Sequence, residues 1–162
     1  MRPALDPRSL AAANINPHTG LATDYLNHFN EAIMMLEMLP SMPDCIDDLI
    51  AWQPLSYCEH FAASGFTHRE LAIAAYEAAH PDMRAQLDEL ADVMNAILVS
   101  TGEAMRKAGV GGATGRLAEE ALNRLKPLVA RAGAVINGAA AQDIVLAETD
   151  VTQAAVDALL RR

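Results

Sequence analysis

The residue types that most often carry out chemistry in proteins are confined to the first half of this chain. Every histidine, cysteine, phenylalanine, tyrosine and tryptophan lies between His18 and His80, and the 82 residues after His80 contain none of them. Metal ligands, nucleophiles and rigid aromatic anchors are drawn mostly from these types. The sequence therefore predicts that any metal binding or covalent catalysis takes place in the first half.

A metal site is the first chemistry that the spacing of these residues allows. Asp24, His28 and Glu31 are separated by four and three positions, which places them on one face of a helix. Helical bundles bind di-iron centres through carboxylates and Glu-x-x-His pairs, and Glu77 and His80 have that spacing. A ferritin-type site needs a second such pair, which the chain lacks, and the proline after His80 disturbs the first. The candidate ligands are Asp24, His28, Glu31, His60, Glu77 and His80. The alternative interpretation is a solvated polar helix face.

Cys58 and His60 are close enough in sequence to suggest a nucleophile beside its base. Residues one and two positions apart on a helix point in different directions, so this pair cannot form a local hydrogen bond. Cys58 also lies on the apolar stripe that includes Phe61, and a buried cysteine in such a stripe behaves as a small hydrophobic residue. We therefore expect Cys58 to be structural.

Composition and charge exclude several classes of protein. The net charge is −9, with fourteen acidic residues against two arginines over 17–103, whereas residues 104–134 carry a net +4. Nucleic acids need a clustered basic surface, which most of this chain would repel, so we expect the basic segment to pack across the acidic ones. Two cysteines without a CxxC spacing favour a reducing compartment. Without a signal-like start or a long apolar run, the sequence predicts a cytoplasmic protein without membrane contact.

The composition predicts an all-α fold. Hydrophobic residues make up 52% of the chain and aromatic residues only 4%, with alanine, leucine and methionine abundant and strand-like runs scarce. We expect an antiparallel bundle of four to five helices over 14–134. A flexible arm over 1–13 precedes this bundle, and a linker over 135–149 connects it to a short amphipathic helix over 150–162.

Start signals and apolar spacing indicate where the helices lie. Asn16 and Pro17 can cap and open a first helix that extends to about residue 39. Thr67 and Glu70 form a capping-box pattern that predicts the start of a third helix, and a proline opens the fourth. The fourth helix carries an apolar stripe of Met83, Leu87, Leu90, Met94, Ile97, Thr101 and Met105. Its alternating spacing predicts a seam within an antiparallel bundle or between two chains.

The end of the chain carries the most recognisable short motif. Residues 152–160 read Thr-Gln-Ala-Ala-Val-Asp-Ala-Leu-Leu. This segment resembles the S/T-Q-x-x-I/V-D-A-L-L stretch at the start of FliM-type flagellar switch proteins and the end of CheZ-type chemotaxis phosphatases. In those families a short amphipathic helix docks on the receiver domain of a CheY-like response regulator, in a helix-in-groove mode. The resemblance implies that the partner-binding residues are Thr152, Gln153, Val156, Asp157, Leu159 and Leu160.

The resemblance to CheZ also makes Asp82 and Gln86 catalytic candidates. CheZ-type phosphatases use an Asp-x-x-x-Gln pair on a long helical hairpin, and Asp82 and Gln86 have that spacing at the start of the fourth helix. The residues around them do not resemble the phosphatase motif, so the candidate rests on spacing alone. The segment from Asn14 to Glu31 resembles instead a group of short helical proteins from alphaproteobacteria, and this second resemblance implies no activity.

These patterns favour a non-enzymatic helical interaction or regulatory protein that binds a protein partner through its C-terminal helix. A CheY-like receiver domain is the most specific partner that the sequence predicts, and we expect a homodimer without a cofactor. The alternative is a metal- or small-ligand-binding bundle that uses Asp24, His28, Glu31 and the segment from His60 to His80.

Overall fold

The computed structural model describes residues 5–109 and 112–138, and the regular elements in this part of the chain are helical. They are α1 (Pro7–Ala12), a 3₁₀ turn (Thr23–Leu26), α2 (Asn27–Met38), α3 (Cys45–Ala51), α4 (Tyr57–Ala63), α5 (Arg69–Ala78), α6 (Pro81–Ala108) and α7 (Gly112–Ile136). The all-α prediction is confirmed for these residues. None of the described helices combines the length and the apolarity needed to cross a membrane. The predicted helix over 150–162 lies outside the described residues.

The two longest helices, α6 and α7, pack along each other and form the largest helix–helix contact of the fold. Helix α2 packs against α7 and α3, α3 packs against α6, and α4 packs against α5. The centre of the core contains Phe29 from α2, Met94 and Met105 from α6, and Leu125 from α7, all fully buried. Burying side chains of this size supplies about 1.5–3 kcal/mol each, which is the main force holding the helices together.

The apolar stripe predicted along the fourth helix is buried within the single chain. Four of its members are at most 4% exposed, namely Leu87, Met94, Ile97 and Met105. The other members are partly buried, namely Met83, Leu90 and Thr101. Because this seam is covered by the helices of its own chain, a homodimer would have to form through another surface.

The basic segment contacts an acidic helix, as the charge pattern predicted. Nζ of Lys126 on α7 lies 2.7 Å from Oε1 of Glu37 on α2. Both side chains are largely exposed, so this ion pair contributes at most about 1 kcal/mol. Burial of apolar side chains therefore supplies most of the stability of this contact.

The first long helix begins at Asn27 rather than directly after Asn16, so the predicted start was wrong. Oδ1 of Asn16 accepts hydrogen bonds from the backbone N–H groups two and three residues ahead, at 2.9 and 3.0 Å, and these bonds close a turn. Gly20 then reverses the chain with a φ of +72°, and Ile15 forms an isolated antiparallel bridge with Ala22. Asparagine favours turns as strongly as helix caps, and here the turn forms.

The capping box forms at α4 and not at α5, where the sequence predicted it. Oγ of Ser56 accepts from the Glu59 backbone N–H at 3.1 Å, and Oε1 of Glu59 accepts from the Ser56 N–H at 2.9 Å. Helix α5 begins at Arg69 without a side-chain cap. Thr67 lies inside a turn closed by the Arg69 N–H and the Phe66 carbonyl, so the chain before α5 does not extend as a capping box requires.

The core extends beyond the predicted domain limits of 14–134 at both ends. Residues predicted as part of a flexible arm form α1, which begins with a side-chain cap from Asp6 and buries Leu10. Helix α7 continues into the predicted linker, where Val135 and Ile136 are almost fully buried. Small residues near the end of α7 let its last turns approach the 3₁₀ turn closely, so the helix can continue into the predicted linker.

Candidate functional site

The fold brings together two of the predicted metal ligands, Asp24 and His60. Asp24 lies in the 3₁₀ turn before α2 and His60 lies on α4, and Oδ2 of the carboxylate is 3.1 Å from Nε2 of the imidazole. The Asp24 side chain is 31% exposed and the His60 side chain only 12%. The imidazole N–H therefore donates to a carboxylate that can still reach solvent.

His28 lies near this pair and serves as a structural anchor. Its ring centroid is 6.2 Å from that of His60, and its Nε2 donates to the backbone oxygen of Gln53 at 2.7 Å. The ring stacks on Trp52 with centroids 4.5 Å apart, and the Trp52 indole N–H donates to the His28 backbone oxygen at 3.2 Å. Burial lowers the pKa of His28 below its usual value, since desolvation outweighs the bond to Gln53. These contacts fasten the connection between α3 and α4 onto α2.

The remaining metal candidates do not join the pair. Glu31 is exposed on α2, Glu77 is exposed near the end of α5, and His80 caps α6 by accepting the Asp82 N–H at its Nδ1. Helix α5 ends before His80, so the Glu-x-x-His spacing does not lie on one helix. Within residues 5–109 and 112–138, no three histidine, cysteine, aspartate or glutamate side chains are arranged to hold a metal ion.

Cys58 and Asp82 lie in environments that a structural role explains. Burial and the charges of Glu77 and Asp88 raise the pKa of the Cys58 thiol, which disfavours the nucleophilic thiolate. Asp82 lies in the first turn of α6 with a mostly exposed side chain, where a carboxylate stabilises the helix dipole. The catalytic role of Asp82 and Gln86 remains a prediction from the sequence.

Three tyrosine hydroxyls form internal hydrogen bonds that the sequence did not reveal. Tyr25 donates to a backbone carbonyl between α3 and α4 at 2.9 Å, and Tyr57 accepts the Ala22 N–H at 2.8 Å. Tyr76 donates to Asp88, whose two oxygens lie 2.8 and 3.0 Å away. The three phenols have raised pKa values, chiefly because burial disfavours the phenolate. The concentration of aromatic residues signals this network, but their partners are distant in sequence.

A polar cleft of about 470 Å³ lies beside the Asp24–His60 pair, between the turn after α1, the 3₁₀ turn and the end of α7. Its polar lining residues are Asn14, Asn16, Thr23, Asp24, Asn27 and Asn137. Phe66, Ile136 and neighbouring apolar residues complete the walls. Sequence reasoning missed this cleft because its asparagines come from separate segments and form no motif.

The predicted partner-binding residues lie outside the described part of the chain. They are Thr152, Gln153, Val156, Asp157, Leu159 and Leu160. Their role remains a prediction from sequence. The chain matches no protein-family model, no curated protein and no solved structure. What can be said of its function therefore comes from the chemistry of its own residues.

Proposed function

We propose that this protein is a non-enzymatic interaction protein of the cytoplasm that binds a partner through residues 150–162. The single observation that carries this proposal is the sequence of residues 152–160, which combines a Thr-Gln start with a Val-Asp-Ala-Leu-Leu end. The proposed partner is the receiver domain of a CheY-like response regulator. A helix over these residues has Val156, Leu159 and Leu160 on one side, suited to a hydrophobic groove, with Asp157 beside them for a lysine.

The contacts in the body of the protein support a scaffolding role for the first half. Several polar groups of the first half take part in internal interactions: His60 with Asp24, His28 with a backbone carbonyl, and Tyr76 with a carboxylate. A nucleophile or general base has to reach a substrate, and these groups already have protein partners. The proposal therefore assigns partner binding to the C-terminal segment and support to the body.

The distance along the chain between body and segment suits a tether. The described part ends at Gly138, and the proposed binding segment begins at Asp150. As the linker that the sequence predicts, these residues would have an end-to-end distance of roughly 20 Å. In the proposed arrangement a receiver domain can therefore occupy the segment without displacing the helices of the body.

The finer architecture of the body is part of the same proposal. The contacts of α6 with α7, and of α2 and α3 with these two helices, support an antiparallel bundle. The homodimer also remains a proposal, and its interface would lie outside the buried Met83–Met105 stripe.

The proposal is tested by measuring binding of full-length protein to a panel of receiver domains, each with and without beryllofluoride as a phosphate mimic. We expect micromolar binding that strengthens on activation. Leu159→Asp should weaken it at least about tenfold, because a charge would enter an apolar contact. Ala154→Asp adds the same charge on the opposite face of the proposed helix and should change affinity less than about threefold. If no receiver binds, or if both variants bind equally well, the proposal is wrong.

A further inference from the structure

The cleft beside Asp24 has walls that are held in place by specific bonds. The hydroxyl of Thr19, a buried residue, donates to the backbone oxygen of Ile136 at 2.7 Å and ties the turn after α1 to the end of α7. The Ile15–Ala22 bridge closes the same turn from the other side. The cleft is therefore a fixed feature of the fold, and its volume of about 470 Å³ suits a small molecule.

Several polar groups that line the cleft have unused hydrogen-bonding capacity. The side-chain amides of Asn14 and Asn137 are exposed at the mouth of the cleft and make no hydrogen bond within the described residues. Asp24 accepts from His60 at 3.1 Å through one oxygen and from Asn27 at 3.1 Å through the other. A carboxylate has about four acceptor positions, so two of them remain open to a ligand. The cleft can therefore offer one carboxylate and at least two amide oxygens.

The charge at the cleft favours a cation. Asp24 is the one charged residue among the described residues that line it. The end of α7 contributes the negative pole of a long helix, and no basic residue lies in the last turn of that helix. An anion would meet a negative field without a cationic partner, whereas an ammonium group would find acceptors. Phe66 and Ile136 supply apolar surface for a short alkyl chain.

We propose that this cleft binds a small aliphatic amine, of the diamine class, with one ammonium group on Asp24. One ammonium group can donate to the Asp24 carboxylate, and the second can approach the negative end of α7 and the amide oxygen of Asn137, which line the same cleft. This site is independent of the C-terminal segment and of the proposed partner.

Titration of ¹⁵N-labelled full-length protein with putrescine tests the proposal. We expect saturable chemical-shift changes centred on the Asn14, Asn27 and Asn137 side-chain amides, with a dissociation constant of roughly 1 mM because the cleft is open. Because the protein carries a net charge of −9, diamine can also associate weakly over the surface. Sodium chloride at equal ionic strength and neutral 1,4-butanediol are therefore the matched reference titrations, and neither should reproduce the changes.

Two pairs of variants separate the cleft from general charge. Asp24→Asn should weaken binding about fivefold or more, whereas Asp47→Asn on the exposed face of α3 should not. Since Asp24→Asn also alters the contact with His60, Asn137→Lys provides a second test: it places a cation in the cleft and should abolish saturable binding. Asn123→Lys adds the same charge to an exposed position of α7 outside the cleft. Equal binding by the two lysine variants, or a wild-type response matched by sodium chloride, would overturn the proposal.

Discussion

Replacing Gly20 with alanine should destabilise the protein through two separable effects. Gly20 has a φ of +72°, and a Cβ built on it would lie 2.9 Å from the backbone oxygen of Ala75 and 3.4 Å from the Cβ of Ala79. The first contact is with backbone atoms of α5, which cannot move aside as a flexible side chain can. The turn that closes the cleft and the packing of α5 therefore both depend on the absence of a side chain here.

The size of this effect follows from a backbone cost, a steric cost and a smaller gain that comes from restricting the unfolded chain. The left-handed conformation costs an alanine about 1–2 kcal/mol. Forcing a methyl group against packed backbone adds roughly 1–3 kcal/mol. The alanine restricts the unfolded chain, which returns about 0.4–1 kcal/mol. The expected loss in the free energy of unfolding is about 1–4.5 kcal/mol, which corresponds to roughly 2–18 °C in Tm for a chain of this size.

Two other glycines provide matched controls for an assay by urea denaturation and thermal unfolding. Gly109 has a φ of +69° and a ψ of −169°, a backbone region almost confined to glycine, but open space around its Cβ position. Gly109→Ala should therefore show a backbone cost without a steric one, about 1–3 kcal/mol. Gly65 has neither a positive φ nor a neighbour within 4 Å, so Gly65→Ala should be within about 0.5 kcal/mol of wild type. A Gly20→Ala loss of about 1 kcal/mol or less, which the backbone conformation alone would give, would refute the steric argument, and a neutral result would refute both contributions.

Three further predictions concern the internal polar contacts. Tyr76→Phe should lower the free energy of unfolding by about 1–2 kcal/mol in urea denaturation, because it leaves a partly buried carboxylate without its donor. A change below about 0.5 kcal/mol would contradict this. Ser56→Ala should cost about 1 kcal/mol in the same assay and Thr67→Ala almost nothing, and the reverse order would contradict the observed capping box. His28 has a lowered pKa, so the unfolded state takes up its proton first as the pH falls below about 6.5. Stability should therefore decrease from that pH down to the lowered pKa, and the fluorescence of Trp52, the one tryptophan, should follow His28 protonation. Equal pH profiles for wild type and His28→Gln would exclude this residue as the cause.

The parts of the fold that follow from the sequence are those fixed by local periodicity. The stripe from Met83 to Met105 repeats often enough to specify one helix face, and the structure buries that face. The proline after His80 fixes the start of α6, because a proline pushes the residue before it out of the helical conformation and is itself well suited to the first position of a helix. Both features depend on residues that are close in sequence.

The parts that could not be predicted depend on a choice between equal local signals. Ser56 and Thr67 each precede a glutamate by three positions, and only the surrounding chain decides which one caps a helix. Asn16 could cap a helix or close a turn, and the tie between Thr19 and α7 favours the turn. The Asp24–His60 pair joins residues 36 positions apart, so no spacing rule could identify it.

The uneven distribution of polar aromatic residues follows from where the fold has regular structure. Helices α6 and α7 satisfy most of their own backbone groups, so alanine, leucine and charged surface residues suffice there. The described elements before α6 are short, and their connections leave backbone groups that buried structure must pair. Tyr57 accepts a backbone N–H, and Tyr25 and His28 donate to carbonyls between α3 and α4, while Trp52 donates to a carbonyl on α2. A side chain with a large apolar body and a polar group can fill the core and pair a buried backbone group at the same time. The residues that first suggested catalysis are therefore those needed to fasten short helices and loops to a core.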